Sequence, residues 1–131
     1  MTDQYTLLYP ASVDWADFQN AKPLQPFADE VIDYLNALSA ALLKDRSSRL
    51  YPDVVTFAFF CRKANLLKQK EQYVKDGVVR LGRGALFHIA PSNVPINFAY
   101  SLVAGMLAGN YNIVRVSSKD FPQVALVIRV M

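Results

Sequence analysis

Two short, largely apolar runs restrict this chain more than any other feature. Ala85, Leu86, Phe87, His88, Ile89 and Ala90 follow one another between Gly84 and Pro91, and Tyr111, Asn112, Ile113, Val114, Arg115 and Val116 form the second run. A short run without polar alternation, bounded by glycine and proline, reads as a strand covered on both faces, which is the habit of parallel sheets. Residues 96–108 between the runs read as a helix, with Gly109 and Asn110 supplying its C-terminal cap. Residues 120–130, with Pro122 in the first turn, read as another. The order strand, helix, strand, helix predicts an α/β chain that opens a doubly wound sheet as βαβα.

Upstream the pattern is helical. Pro10, Pro23 and Pro26 punctuate an irregular arm over residues 1–26, in which only residues 14–20 suit a turn of helix. Pro26 fits a first helical position, Asp29 and Glu30 fit the first turn, and Val31, Leu35, Leu38 and Leu42 recur at helical spacing. That helix is expected to run to Lys44 and end in the polar Asp45, Arg46, Ser47 and Ser48. A second helix is expected from Pro52 to near Gly77, with Val55, Phe59, Leu66 and Tyr73 on its apolar stripe. Residues 78–81 read as a short extended segment and Gly82, Arg83 and Gly84 as a turn. The resulting organisation is an N-terminal arm and helix over residues 1–50, then a second helix and a partial sheet domain over residues 51–131.

Composition narrows the chemistry. One cysteine and one histidine supply neither an internal disulfide nor a structural zinc site, so no metal is expected and a reducing, cytoplasmic setting fits. No basic segment precedes an apolar one at the N-terminus, and the longest low-polarity run, residues 99–109, is too short to span a bilayer. Charge is divided: residues 1–45 hold two bases and seven acids, residues 46–131 twelve bases and four acids. A basic C-terminal half suits nucleic acid or a phosphate-rich small ligand, and no nucleic-acid motif or aromatic platform accompanies it.

In open parallel sheets ligands gather outside the carboxyl ends of the strands. Two polar loops fall there, Ala90, Pro91, Ser92 and Asn93 after the first run, and Arg115, Ser117, Ser118 and Lys119 after the second. Asn93 is either a plain turn asparagine or an amide held by flanking prolines as a donor toward an oxygen acquiring charge. Arg115 is either a solvated strand-end cation or a partner for phosphate or a sugar hydroxyl. Cys61, mid-helix beside Phe59 and Phe60, reads as a small core hydrophobe, and His88 as a hydrogen-bonded structural residue. The pattern at residues 82–84 is too short for a dinucleotide fingerprint. The bases between Arg62 and Arg83 read as a solvated helix face and its exit.

Residues 86–95, 102–110 and 113–118 together resemble the start of the coenzyme-binding domain of the aldehyde dehydrogenase superfamily, and most closely the LuxC-type acyl-CoA reductases. Tyr51, Pro52 and Asp53, with residues 57–66, resemble that family's N-terminal helix, so the likeness spans about residues 50 to 128. The resemblance implies a Rossmann-like domain and reduction of a fatty acyl-CoA, or a related thioester, to an aldehyde with NADP or NAD. By it Asn93 matches the residue that stabilises the oxyanion, and Ala90, Pro91 and Ser92 match the loop whose backbone lies along the cofactor. Ser92 stands where many aldehyde dehydrogenases carry tryptophan. Arg115 matches a lysine that contacts the adenosine ribose, and Ser117 and Ser118 add donors beside it. Ser118 falls where NAD-preferring relatives hold a glutamate, and losing that carboxylate favours a 2′-phosphate, hence NADP.

The family's nucleophilic cysteine lies far downstream in a second domain, whereas Cys61 precedes the cofactor strands. The chain is therefore expected to be the N-terminal portion of such a reductase, inactive alone. Its expected partners are an acyl-CoA or other acyl thioester, and a second copy or the missing C-terminal half at the open sheet edge. Neither nucleic acid nor a membrane span is expected. The competing reading is a non-catalytic module that binds a nucleotide or a protein through that edge.

Overall fold

Helix α2 (Asp29–Lys44) is the element around which the other helices pack in the computed structural model, which describes residues 4–131. The first three residues of the arm, Asp3 among them, lie outside the described residues. Val31, Leu35, Leu38 and Leu42 are all buried at the spacing read from the sequence, and Ile32 joins them. Each such aliphatic side chain contributes about 1.5–3 kcal/mol when fully buried. Ser39, also buried, donates its hydroxyl to the Ala58 carbonyl, and two small residues at this crossing let the helices approach closely.

The arm forms one short helix, α1 (Trp15–Gln19), capped by Asp14, whose Oδ1 accepts the Ala16 N–H at 2.8 Å. Helix α2 begins at Asp29 and not at Pro26, because Phe27 has φ 56°, a left-handed conformation that cannot enter a right-handed helix. Its N–H donates to the Leu107 carbonyl at 2.7 Å, and its ring stacks on Tyr73. The polar exit from α2 is a 3₁₀ turn, Arg46–Leu50, opened by Asp45, whose Oδ1 accepts the Ser47 N–H.

The single helix expected from Pro52 is two: α3 (Pro52–Phe60) and α4 (Lys63–Tyr73). The chain breaks at Arg62, whose extended backbone ends the α-helical ladder. Side chains satisfy the groups this exposes: Asn36 of α2 accepts the Lys63 N–H at 2.9 Å, and the Asn65 amide donates to the Phe60 carbonyl at 2.7 Å. The break also shifts the buried stripe. Val54, Phe57, Ala58, Cys61 and Leu66 are buried, whereas Phe59 and Tyr73 of the expected stripe are exposed and Val55 is half-buried.

Strands β1 (Ala85–Ile89) and β2 (Tyr111–Arg115) pair in parallel, joined by α5 (Asn97–Leu107), and α6 (Pro122–Val130) follows. The predicted order holds, with α6 starting two residues after Asp120 at its N-terminal proline. Residues 78–81 join no sheet and lie exposed. Covering on both faces is not found. Leu86, His88 and Ala90 are half-buried toward α5, but Phe87 and Ile89 are 63% and 68% exposed. On that face Phe18 of α1 meets the Tyr111 ring of β2, and Phe87 and Ile89 are left to solvent. One core joins α2, α3 and α4 to α5 and α6.

A backbone junction fastens the arm to the sheet. Helix α5 ends with Gly109 at φ 87°, and the N–H groups of Gly109 and Asn110 return to the carbonyls of Met106 and Gly105. The Leu24 N–H donates to the Gly109 carbonyl at 2.9 Å, while the Leu24 carbonyl accepts the Gly82 N–H at 2.9 Å. A Cβ on Gly109 would stand 2.1 Å from the Leu24 oxygen, and one on Gly82 2.1 Å from the Gly109 oxygen. Gly109→Ala is therefore expected to lower the unfolding free energy by about 1–3 kcal/mol. Gly77→Ala, at a left-handed position with open space around it, should cost only about 1 kcal/mol. Urea midpoints measure the difference, and equal losses would mean that the junction contributes nothing.

Candidate functional site

The parallel register determines which loops meet. Ile89 pairs with Arg115, and the Ala90 N–H donates to the Arg115 carbonyl at 3.1 Å, so both strands leave the sheet at one edge. The loop of Ala90, Pro91, Ser92 and Asn93 and the loop of Arg115, Ser117 and Ser118 thus leave the same end of the sheet, Ala90 touching Arg115 directly. Ala90 is half-buried and anchors the first loop, whereas Pro91, Ser92 and Asn93 are exposed. The Asn93 amide makes no hydrogen bond among the described residues and is open to a ligand. Four residues later α5 begins without a side-chain cap, leaving the positive end of its dipole close in sequence to this loop.

In the second loop Arg115 is exposed on the open face of the sheet, and Ser118 is exposed beyond it. Ser117 is half-buried, and its Oγ accepts the Lys119 N–H at 3.1 Å, which leaves the hydroxyl hydrogen available to donate. Arg115 and Lys119 are the charged side chains of residues 115–119, and the next carboxylate is Asp120. A guanidinium, two hydroxyls and an uncapped helix start form a donor set suited to phosphate and ribose oxygens.

Other residues singled out from the sequence lie apart from this edge. His88 Nε2 and Asn112 Oδ1 are 2.8 Å apart on the inner face, and the Asn112 amide donates to the Asn110 carbonyl at 2.8 Å. A Cβ on Gly105 would fall 1.9 Å from Asn112 Oδ1, so α5 lies directly against this pair. His88 is structural, as expected. Asn112, its partner, went unremarked, although a polar residue inside an apolar strand is the signal for it. Gly82 serves the backbone junction, and Arg83 donates its N–H to Asn110 Oδ1.

A shallow depression of ≈ 490 Å³ between α3, α4 and α5 was also not foreseen. It is lined by Thr56, Phe59, Phe60, Arg62, Asn65 and Tyr100, with the Arg62 guanidinium 4.1 Å from the centre of the Phe59 ring. Its sequence signal is the aromatic cluster ahead of Arg62.

Cys61 closes α3 rather than lying mid-helix, and it is fully buried. Burial pushes its thiol from an ordinary value of 9.0 up to about 12, so thiolate is scarce near neutrality. Among the described residues no group of three or more His, Cys, Asp or Glu side chains is placed to hold a metal ion. No described helix is long and apolar enough to cross a membrane.

The fold and its edge define a parallel α/β unit with polar loops at the carboxyl ends of its strands. The acyl-CoA reductase (LuxC) family model matches residues 19–130, and the chain belongs to that family. The match extends well upstream of the segments that carry the sequence resemblance, into the arm and α2. No curated protein and no solved structure gives a significant match.

The state of Cys61 has a measurable consequence. Its folded value lies above its unfolded one, so the stabilising contribution is complete below pH 9 and is lost as pH rises toward 12. Unfolding free energy should fall across that window more steeply in the wild type than in Cys61→Ala. At pH near 8 a thiol reagent should label the chain only after unfolding, and rapid labelling of the native protein would contradict the burial.

Proposed function

We propose that this chain forms the coenzyme-side portion of an acyl-CoA reductase, in which residues 51–131 begin a Rossmann-like, aldehyde dehydrogenase-like domain. The observation that carries the reading is the meeting of two polar loops at one sheet edge, set by the Ile89–Arg115 register and the Ala90–Arg115 hydrogen bond. Family membership supplies the acyl-CoA reductase lineage. The donor set at the edge fits a nicotinamide dinucleotide.

In this reading the backbone of Ala90, Pro91 and Ser92 lies along the coenzyme, and Arg115 holds its adenosine ribose or phosphate. Ser117 and Ser118 donate hydroxyl hydrogens beside it. The bound coenzyme supplies hydride to the acyl carbon. Asn93 orients the thioester carbonyl and donates its amide N–H to the oxygen as negative charge develops there. Pro91 and Pro95 on either side limit backbone freedom, so little ordering remains to be done on binding. Cys61 takes no part in acyl transfer, being buried, protonated and upstream of the coenzyme loops; the thiol comes from a part of the enzyme outside these residues.

NADP is the favoured coenzyme, because Arg115 and Lys119 attract a 2′-phosphate and no carboxylate among residues 115–119 repels it. Fluorescence titration should show NADPH binding about tenfold more tightly than NADH, a preference of the size one added charge contact provides. Ser118→Glu should reverse the preference, and Arg115→Ala should weaken both. Tighter binding of NADH by the wild type would overturn the assignment.

The 131 residues alone should oxidise no nicotinamide coenzyme with any acyl-CoA, as followed by absorbance. Turnover that disappears in Cys61→Ala would instead make Cys61 the nucleophile.

A further inference from the structure

We propose that the turn over residues 74–80 docks peripherally on an anionic lipid surface, inserting its aliphatic side chains while its bases meet the headgroups. The chain reverses after α4 at Asp76 and Gly77, closed by the Val78 N–H donating to the Lys75 carbonyl at 3.3 Å. This reversal places Val74, Lys75, Val78, Val79 and Arg80 around one shallow depression. Val79 is 85% exposed, more than any other large hydrophobic residue described, and Val74, Val78 and Leu81 are exposed with it.

Gln25 and Pro26 of the arm face the depression, yet Val74, Val78 and Val79 stay exposed to solvent. Their setting is basic: between Arg62 and Arg83 there are seven Lys or Arg residues and two acids, Glu71 and Asp76. Lys63 and Lys70 are engaged by Asp33 and Asp29 of α2, while Arg80 is fastened to the Tyr73 carbonyl at 2.8 Å. That bond holds Arg80 against the end of α4, beside the valines. Exposed aliphatic residues interleaved with cations match the interface of an anionic bilayer, where apolar insertion and headgroup attraction add.

Sedimentation of the full 131-residue chain with lipid vesicles tests this with neither coenzyme nor acyl-CoA present, so the result does not depend on the function proposed above. The chain should pellet with vesicles of mixed phosphatidylcholine and phosphatidylglycerol, remain in solution with phosphatidylcholine alone, and be released by high salt. Lys75→Glu should weaken binding at least about fivefold, the effect of one base at an anionic surface. Val79→Asp, at an exposed position and expected to leave the circular dichroism spectrum unchanged, should weaken it by a similar or larger factor. Failure to pellet with the anionic vesicles, or undiminished binding by both variants, overturns the proposal. So does gel filtration showing that Val79→Asp dissociates a dimer while no vesicles are bound, which would assign the turn to a second copy of the chain.

Discussion

Leu24 is held through both of its backbone polar groups, its N–H by Gly109 and its carbonyl by Gly82, and most of the fold depends on that junction. Three segments remote in sequence meet there at hydrogen-bond distance, an approach that any Cβ at residue 82 or 109 would obstruct. The junction and the neighbouring Phe27 bond also satisfy carbonyls at the end of α5, which would otherwise be left without partners. Strand β2 starts two residues beyond Gly109, and the Tyr111 N–H donates to the Gly84 carbonyl at 2.8 Å. Both strands therefore enter the sheet from a fixed origin. Their carboxyl ends, where the polar loops lie, inherit that alignment.

Elements specified by local pattern were legible in the sequence. Three leucines and a valine at helical spacing give the buried face of α2, and two apolar runs separated by a helix-length segment give β1, α5 and β2. The loop residues of the candidate site followed from the general behaviour of parallel sheets, without knowledge of any contact. What escaped depends on partners far along the chain. The break between α3 and α4 is supported by Asn36, whose side chain caps Lys63, and no periodicity within residues 52–77 announces it. Phe27 likewise adopts its left-handed conformation where its N–H meets α5, so the proline at residue 26 was a misleading start signal. The one-sided sheet escaped for a different reason. An apolar strand states that its faces are suited to burial, not which of them the neighbouring residues cover.

That one-sidedness separates two roles within β1. The inner residues Leu86, His88 and Ala90 meet α5 and hold the strand in place, while Phe87 and Ile89 contribute little to the stability of the described residues. Arg115 belongs to the outer set by register. Its side chain is therefore free of packing constraints, whereas the backbone that carries it is fixed by the Ala90 bond. An exposed cationic side chain on a backbone held in register suits the coenzyme contact proposed for Arg115.

The His88–Asn112 pair explains how the edge stays aligned. Sliding one strand by two residues would return every side chain to its original face, so apolar packing alone discriminates weakly against that slip. A hydrogen bond between specific side chains does discriminate. His88, opposite Val114, reaches diagonally back to Asn112 Oδ1 at 2.8 Å, and the same amide is fixed from its other end by the Asn110 carbonyl. Gly105 sharpens the constraint, since its missing side chain is what lets α5 lie against the pair. Placing polar groups inside an apolar layer costs desolvation that their hydrogen bonds roughly offset, so the pair adds little net stability. Its effect is local: it ties β1 to β2 within the alignment that sets Arg115 beside Ile89, at the end of the sheet from which the loop carrying Asn93 leaves.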